Sequence, residues 1–207
     1  MPPSPNLPTF ASALAYPVTV WLEATAQFTE GRGTSLPFSL VGAPHLDGAA
    51  LMQRLNAFAI AHRGVGYAEP HVKAHGEIRD ETRGEIHGET CDDRPMPRWR
   101  SAPFVPTWWK FNSSDCGGVQ LVRPCRSELF GHSVELLAAL RDASTTRSIS
   151  WDGSWFGTPG PRLIDEYAGT PRLRVALDSG ASSERIREIF SSETRDFEKE
   201  RKPFLLY

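Results

Sequence analysis

The distribution of prolines constrains this chain more than any other feature of its sequence. Proline fixes one backbone angle and lacks an amide hydrogen, so a proline-dense segment is excluded from helix interiors and central strands. Four of the seventeen prolines fall in the segment Pro2-Pro3-Ser4-Pro5-Asn6-Leu7-Pro8. Such a segment is extended and typical of linkers. We therefore predict that residues 1–9 form a strap between domains and that residues 10–207 form one domain.

A tandem repeat indicates a second boundary. Residues 76–83 read Gly-Glu-Ile-Arg-Asp-Glu-Thr-Arg, and residues 84–91 read Gly-Glu-Ile-His-Gly-Glu-Thr-Cys. The repeat is rich in charge and nearly free of large apolar side chains, so it buries too little surface to offset the entropy lost on ordering. We predict that about 70–100 is an inserted, mobile, low-complexity loop that folding does not require.

The periodicity of the remaining residues predicts an α+β domain, with a strand-rich N-terminal part followed by C-terminal helices. Val18, Val20 and Leu22 occupy every second position, which is typical of a strand with one buried face. Further strands are predicted at 36–41, 64–68, 104–111 and 118–123. Strands first and helices later, without regular alternation, favour the α+β class.

Capping residues and apolar spacing predict the helices. A short polar residue before apolar side chains three and four positions apart is the usual beginning of a helix. One helix is predicted to follow Asp47, and another to span the apolar stripe 134–140. Near the C-terminus, one helix is predicted within 170–180, and Ser183 is the predicted N-cap of the last.

Charge and composition exclude several classes of partner. The chain has 23 basic and 25 acidic residues, a formal charge of −2, which is not the signature of a nucleic-acid surface. No apolar run approaches the ~18 residues that a membrane helix needs. The first residues have neither a basic region nor an apolar core, so we expect no signal peptide in this chain.

We expect neither a metal nor a cofactor. His71, His75, His87 and Cys91 lie close together in the sequence, but their spacing fits no zinc signature. Three cysteines are too few for a disulfide scaffold. Cys116 has no histidine-containing activation pattern beside it and is predicted to be a small buried residue at the start of a strand.

The stretch from Glu23 to Thr34 is the candidate site. Glu30 and Arg32 lie in a predicted turn with two glycines, and Glu23 ends the predicted strand before it. Arginine offers a planar set of donors that suits a carboxylate or several sugar oxygens. Glycoside hydrolysis needs two carboxylates, about 5–5.5 Å apart where the configuration of the sugar is retained and about 6.5–9.5 Å apart where it is inverted. Glu30 is a candidate for one of them. The alternative is a surface turn closed by a Glu–Arg ion pair.

Tryptophans supply a second set of candidates. Trp108 and Trp109 are neighbours on a predicted strand, so one is expected to face the core and the other solvent. An exposed tryptophan can stack on the apolar face of a sugar, and packing in the core is the alternative. The same two interpretations apply to Trp151, Trp155 and Phe156.

Several blocks in order along the chain resemble the exo-β-N-acetylmuramidase NamZ family. They begin with Pro3-Ser4-Pro5-Asn6-Leu7-Pro8-Thr9 and Ala15-Tyr16-Pro17, followed by the specific block Glu30-Gly31-Arg32-Gly33-Thr34. The later blocks are Pro37-Phe38, Gly42-Ala43-Pro44, Cys116-Gly117-Gly118-Val119-Gln120, Glu135-Leu136-Leu137 and Arg201-Lys202-Pro203-Phe204-Leu205-Leu206-Tyr207. The resemblance spans nearly the whole chain except 70–100. Ala26 stands where the family usually has asparagine, and His45 stands where the family often has tryptophan.

The resemblance implies a function that depends on a second domain. Members of the family have an N-terminal Rossmann-like catalytic domain and a C-terminal auxiliary domain, with the substrate cleft between them, and they release N-acetylmuramic acid from peptidoglycan fragments in cell wall turnover, often outside the cytoplasm. This chain resembles the C-terminal domain alone. The resemblance therefore implies a muropeptide or amino-sugar ligand and a Rossmann-like partner domain that carries the catalytic carboxylates. The substrate-binding residues implied for this half are Glu30, Arg32, Glu23 and Asn6.

Whether this chain is active by itself stays open at the level of sequence. It is either the auxiliary domain of a muramidase-like glycosidase, a stand-alone carbohydrate-binding or interaction module, or an inactive remnant.

Overall fold

The computed structural model describes residues 4, 6–62, 97–123, 129–152 and 162–205, and these form a mixed arrangement of helices around a small sheet. In chain order the elements are α1 (Phe10–Thr19), a 3₁₀ turn (Val20–Ala24), β1 (Leu40–Ala43), α2 (Gly48–Ala61), β2 (Arg98–Ser101), β3 (Gly117–Arg123), α3 (Leu129–Ala143), α4 (Leu163–Ala168), α5 (Arg172–Asp178), α6 (Ser183–Arg201) and a final 3₁₀ turn (Lys202–Phe204). The predicted α+β class is confirmed.

The sheet is antiparallel, with strand order β1-β3-β2. Val41 lies opposite Val119 and Trp99 opposite Leu121, and all four side chains are buried. The strand predicted at 118–123 is therefore confirmed as the central strand β3, and Cys116 is buried immediately before it, as predicted.

Helix α2 packs against this sheet and begins where the sequence predicts. The carboxylate of Asp47 accepts hydrogen bonds from the backbone N–H groups of Ala49 and Ala50, which satisfies amides that have no partner inside the helix. Its first turn lies directly on β3, because a Cβ on Gly48 would come within 2.1 Å of the carbonyl oxygen of Gly118. The absence of a side chain on Gly48 permits this close approach.

Helix α3 is the centre of the helical layer. Residues 131–141 are all buried, because α1, α2, α5 and α6 pack around this helix. The predicted stripe 134–140 is thus confirmed as core. No helix of the described residues has the length and apolar character needed to cross a membrane.

The strand predicted around Val18, Val20 and Leu22 is wrong. Helix α1 continues through Thr19, and the chain then tightens into the 3₁₀ turn. The buried positions Ser12, Ala15, Thr19 and Leu22 recur every three or four residues, which is the helical period. Thr9 caps the helix by accepting a hydrogen bond from the N–H of Ser12. The N-terminal part is therefore less strand-rich than predicted.

Two other predicted strands differ from the structure. The segment 36–41 is extended only from Leu40, because Phe38 adopts a positive φ of 63° that breaks strand geometry. The segment 104–111 holds a single β-bridge, Phe104 to Cys116, and is otherwise a series of turns. Its aromatic residues have high strand propensity, but within the described part of the chain Phe104 alone among them takes part in a β-bridge.

The helix boundaries near the C-terminus need one correction. Ser182, rather than Ser183, is the N-cap of α6, and it accepts from the N–H of Arg185. The Ser183 hydroxyl instead donates to Glu135 on α3. The helix predicted within 170–180 is present as α5, and Gly180 follows its end with a φ of 78°.

The predicted insertion lies largely outside the described residues, as does the predicted strand at 64–68. The predicted end of the insertion, at about residue 100, lies in the described part of the chain. The structure differs from the prediction there, because Arg98–Ser101 form β2. The indole of Trp99 is buried in the core, and both backbone groups of this residue bond to the side-chain amide of Asn56. Residues 98–101 therefore belong to the folded domain rather than to the insertion.

Candidate functional site

The glycine turn, residues 30–34, is the sequence feature around which the candidate site is built. Gly31 and Gly33 both adopt a φ of 81°, a conformation that strains any residue with a side chain. The turn follows a bridge between Thr29 and Gly42 of β1, so the edge of the sheet sets its position. These constraints direct the side chains of Glu30 and Arg32 toward one point.

Arg32 lies between the two carboxylates that the sequence singled out. Its guanidinium donates to Glu23 from one terminal nitrogen, and its Nε is 3.3 Å from Oε1 of Glu30. The Glu–Arg ion pair considered from the sequence is therefore formed. It is not a surface pair, however, because the side chain of Glu30 is completely buried.

Two residues that sequence reasoning did not select complete the cluster. Lys110 donates from Nζ to Oε2 of Glu30 at 3.1 Å and to the carbonyl oxygen of Leu22 at 2.7 Å. The hydroxyl of Tyr167, on α4, donates to the second oxygen of Glu23 at 2.9 Å. We call Glu23, Glu30, Arg32, Lys110 and Tyr167 the ion cluster. It balances two carboxylates against two cations.

The ions of the cluster differ in how far they reach solvent. The exposed fraction of the side chain is 16% for Arg32, 12% for Lys110, 7% for Glu23 and zero for Glu30. The side chain of Arg32 is therefore the more accessible of the two, and Glu30 presents no surface to an approaching ligand. Oε1 of Glu30 and Nε of Arg32 are both buried, and their ion pair is the contact that the structure gives to each of these atoms.

Aromatic side chains pack against the cluster on its inner side, around Phe38. The guanidinium of Arg32 lies over the ring of Phe38, 5.4 Å from its centroid, and Tyr16 packs edge-on against the same ring. Burial and the nearby Glu23 carboxylate raise the pKa of the Tyr16 hydroxyl, and the positive charge of Arg32 acts in the opposite direction. Arg32 is thus held by charge on one side and by a ring on the other.

The tryptophan loop, residues 107–114, borders the glycine turn. The backbone N–H and the hydroxyl of Thr107 both donate to the carbonyl oxygen of Gly33 at 2.8 Å. A Cβ on Gly33 would come within 2.3 Å of the carbonyl oxygen of Trp108, so the loop lies directly against the turn. Trp108 and Trp109 are both about half exposed, at 49% and 53%. The prediction that one of them faces the core is wrong.

The remaining candidates lie elsewhere. Asn6 is exposed in the proline-rich N-terminal segment, and its described hydrogen bond is a local one from its backbone N–H to Ser4. Trp151 is buried and donates from Nε1 to Asp178, which is a packing role. The residues Trp155, Phe156, His71, His75, His87 and Cys91 lie outside the described part of the chain. Within the described part, no three metal-ligating side chains come together.

A polar depression away from the ion cluster, between α2, α3 and the start of α6, has a structural explanation. Its charged side chains pair with each other: Arg54 bonds to Glu135 at 2.7 Å and to Asp142 at 2.8 Å. Arg141 also pairs with Asp142, and the two arginines lower the pKa of that carboxyl although its burial opposes them. These pairs connect α2 to α3, so we assign this depression to the stability of the fold.

Comparison with known proteins identifies the family. The profile of the family described as "Exo-beta-N-acetylmuramidase NamZ, C-terminal" matches residues 14–92 and 85–207. The chain belongs to this family. The resemblance inferred from the sequence blocks is therefore confirmed, and the matched residues include the whole ion cluster.

Individual relatives agree with membership of the NamZ C-terminal family. The chain is 28% identical over 205 residues to the "Peptidoglycan beta-N-acetylmuramidase NamZ" of Bacillus subtilis, strain 168, an alignment that covers 99% of this chain. Two crystal structures of DUF1343 family proteins from Bacteroides fragilis have the same fold. Their TM-scores are 0.70 and 0.55, at 18% and 21% identity, and each alignment covers all of this chain.

The relatives are longer than this chain. It spans 40% of the Bacillus subtilis protein and 45% and 43% of the two Bacteroides chains. This chain thus corresponds to one part of each of these longer relatives.

Proposed function

We propose that this chain is the auxiliary domain of an exo-β-N-acetylmuramidase-like glycosidase that acts on peptidoglycan fragments. In this proposal the glycine turn and the ion cluster form one wall of a substrate cleft. The other wall belongs to a Rossmann-like catalytic domain outside these 207 residues. Membership of the NamZ C-terminal family supports the reaction class, and the arrangement around Arg32 supports the cleft.

The observation that carries the proposal is the position of Arg32. It is the most exposed ion of the cluster, and two carboxylates and an aromatic ring hold its guanidinium in place. A preorganised guanidinium binds a planar carboxylate through two parallel hydrogen bonds. N-acetylmuramic acid differs from N-acetylglucosamine by a lactyl group that ends in a carboxylate. We propose that Arg32 recognises this carboxylate.

The carboxylates of the cluster have a positioning role in this proposal. Glu30 has no exposed surface, and both of its oxygens face cations of its own domain. A glycosidase carboxylate must instead reach the glycosidic oxygen or the anomeric carbon. We therefore assign catalysis to the partner domain, and we assign to Glu23 and Glu30 the orientation of Arg32. Asn6, on the strap, is a further proposed contact of the substrate.

The test is a fusion of this chain to the part of the Bacillus subtilis relative outside the alignment. Its kcat/KM is measured on a chromogenic β-N-acetylmuramide and on the matching N-acetylglucosaminide, which lacks the lactyl carboxylate. Arg32→Lys keeps the charge but removes the two-pronged contact. We expect kcat/KM to fall about tenfold or more on the muramide, as for a lost charged hydrogen bond, with little change on the glucosaminide.

Arg174→Lys is the matched control, because Arg174 also contacts both oxygens of a buried carboxylate, that of Asp165, and neither residue is bonded to a member of the ion cluster in the contacts described. It is expected to leave both substrates unaffected. Equal losses on the two substrates with Arg32→Lys, or a lower unfolding temperature with unchanged kinetics, would show that Arg32 is purely structural.

A further inference from the structure

We infer that Trp108 and Trp109 form a stacking platform for a pyranose ring, next to the ion cluster on the same face of the domain. This inference rests on the proposed function, since it names the part of the ligand that this half of the cleft recognises besides the carboxylate. The ligand class is a β-linked amino sugar, read through the apolar face of its ring.

The tryptophan loop is joined to the glycine turn at one point and to the ion cluster at another. Thr107, at its start, bonds to Gly33 of the glycine turn, and Lys110, just after the tryptophans, bonds to Glu30. Trp108 and Trp109 therefore lie between two residues that are bonded to the turn, and the backbone of Trp108 lies directly against Gly33, the residue after Arg32. In this inference, a ligand held by the guanidinium has the two indoles within its reach.

The indoles are exposed in a fixed arrangement. Their ring centroids are 5.8 Å apart with an interplanar angle of 62°, so each ring supports the edge or face of the other. Phe111 packs against the core and secures the end of the loop from the inside. Large exposed apolar side chains that are held rigidly, rather than scattered, mark binding sites.

Several residues of the tryptophan loop have backbone angles that are unfavourable for residues with a side chain. Trp109, Phe111 and Ser113 all have φ values between 57° and 70°, a region that residues with a side chain rarely adopt. Three such residues within five positions are not required by any regular element. Strain of this kind is retained where function needs the geometry.

An amino sugar fits this surface better than an apolar partner surface does. The two indoles supply flat apolar area, and the adjoining cluster contributes the partly exposed side chains of two cations, Arg32 and Lys110. A pyranose has the matching combination, because its axial C–H groups form an apolar face and its rim carries hydroxyl and amide groups. An apolar protein surface would cover the partly exposed side chains of Arg32 and Lys110 without offering them polar partners.

The experiment measures binding by the 207-residue chain, without catalysis. The probes are the β-1,4-linked tetramer of N-acetylglucosamine and a disaccharide of N-acetylmuramic acid and N-acetylglucosamine. Binding is followed by NMR through the indole N–H signals, which are assigned from Trp108→Ala and Trp109→Gly. We expect both signals to shift saturably with both sugars, and either substitution to weaken binding about tenfold, as for the loss of one stacked aromatic.

Trp109→Gly gives a second measurement, because glycine adopts a φ of 70° without strain. Its unfolding midpoint is expected to equal or exceed that of the parent chain while sugar binding falls. The matched control is Phe197→Ala, which removes an aromatic side chain that is 61% exposed on α6. It is expected to leave binding unchanged.

Indole signals that do not respond to either sugar in the millimolar range would overturn the inference. So would signals that shift in the fusion with the catalytic part but are then insensitive to sugar, since the tryptophans would then contact the partner domain. In both cases the proposed function stands if Arg32→Lys lowers kcat/KM on the muramide and leaves it nearly unchanged on the glucosaminide. Equal effects of Arg32→Lys on the two substrates, with the tryptophan shifts intact, would instead refute the proposed role of Arg32.

Discussion

Nζ of Lys110 lies 3.1 Å from Oε2 of Glu30, although the two residues are 80 positions apart in the chain. This ion pair joins the tryptophan loop to the glycine turn, and both of its members are largely or wholly buried. A carboxylate in this position is costly unless its cations remain in place. The stability of the pair therefore affects the geometry of the whole candidate site.

Glu30→Gln is expected to lower the free energy of unfolding by about 3 kcal/mol, because it leaves buried cations without their countercharge. Urea unfolding measures the change. Glu188→Gln is the matched control, since Glu188 is 66% exposed and pairs with Arg185 on the same helix; a change within about 0.5 kcal/mol is expected there. If Glu30→Gln and Lys110→Met have additive effects, the two residues are not coupled and this prediction is wrong.

Gly33→Ala tests the contact between the glycine turn and the tryptophan loop. The new Cβ would meet the carbonyl oxygen of Trp108 at 2.3 Å, in addition to the cost of a positive φ. Gly180→Ala is the control, because Gly180 has a similar φ of 78° and nothing within 4 Å of the new atom. We expect about 1 kcal/mol of destabilisation at Gly180 and at least about twice that at Gly33. Equal losses would mean that the loop is free to move away from the turn.

His132 is expected to make the stability depend on pH. It is buried on α3 against Phe58, and burial, assisted by His62 and Arg187, lowers its pKa from 6.5 to about 4. The folded state thus favours the neutral ring, so the contribution is complete above about pH 6.5 and is lost as the pH falls toward 4. The loss amounts to about 3 kcal/mol.

The measurement for His132 is the free energy of unfolding at several pH values between 4 and 7. His132→Leu removes the titrating group, and its pH dependence is expected to be flatter by this amount. Parallel curves for the parent chain and the variant would show that other groups control the acid sensitivity.

Two replacements test the boundary of the predicted insertion. Replacing residues 70–90 with a short Gly/Ser linker is expected to change the unfolding midpoint little, because that segment is charged and poor in apolar side chains, and loop length costs little closure entropy. Replacing 70–100 removes Trp99 and most of β2 and is expected to cost several kcal/mol. A large loss from the shorter replacement would show that 70–90 contributes to the core.

The chain by itself is expected not to hydrolyse a chromogenic β-N-acetylmuramide. Hydrolysis needs an accessible acid and a second carboxylate, whereas Glu30 is completely buried and Glu23 is bonded to Arg32 and Tyr167. Release of the chromophore is measured for the chain and for the fusion with the catalytic part. Turnover by the chain alone that disappears in Glu30→Gln would show that catalysis lies in this half.

Features that depend on neighbours in the sequence could be predicted from the sequence. Asp47 caps α2 because the amides that it satisfies are two and three residues away. The glycine turn was recognisable because positive φ angles favour glycine, and Glu30 and Arg32 belong to it. The pattern of apolar residues around Val18 is also a local feature, but three alternating apolar residues are compatible with both a strand and a helix. The strand predicted there is therefore wrong.

The tertiary structure alone decided what surrounds those residues. Tyr167 bonds to Glu23 across 144 positions, and Lys110 bonds to Glu30 across 80, and no short pattern indicates which distant side chains will meet. The exposure of Trp108 and Trp109 is likewise a result of how the tryptophan loop packs on Gly33, since their hydrophobicity by itself favours burial. Local rules act through backbone angles and neighbouring hydrogen bonds. Burial and charge pairing arise only when the packed layers bring distant parts of the chain together.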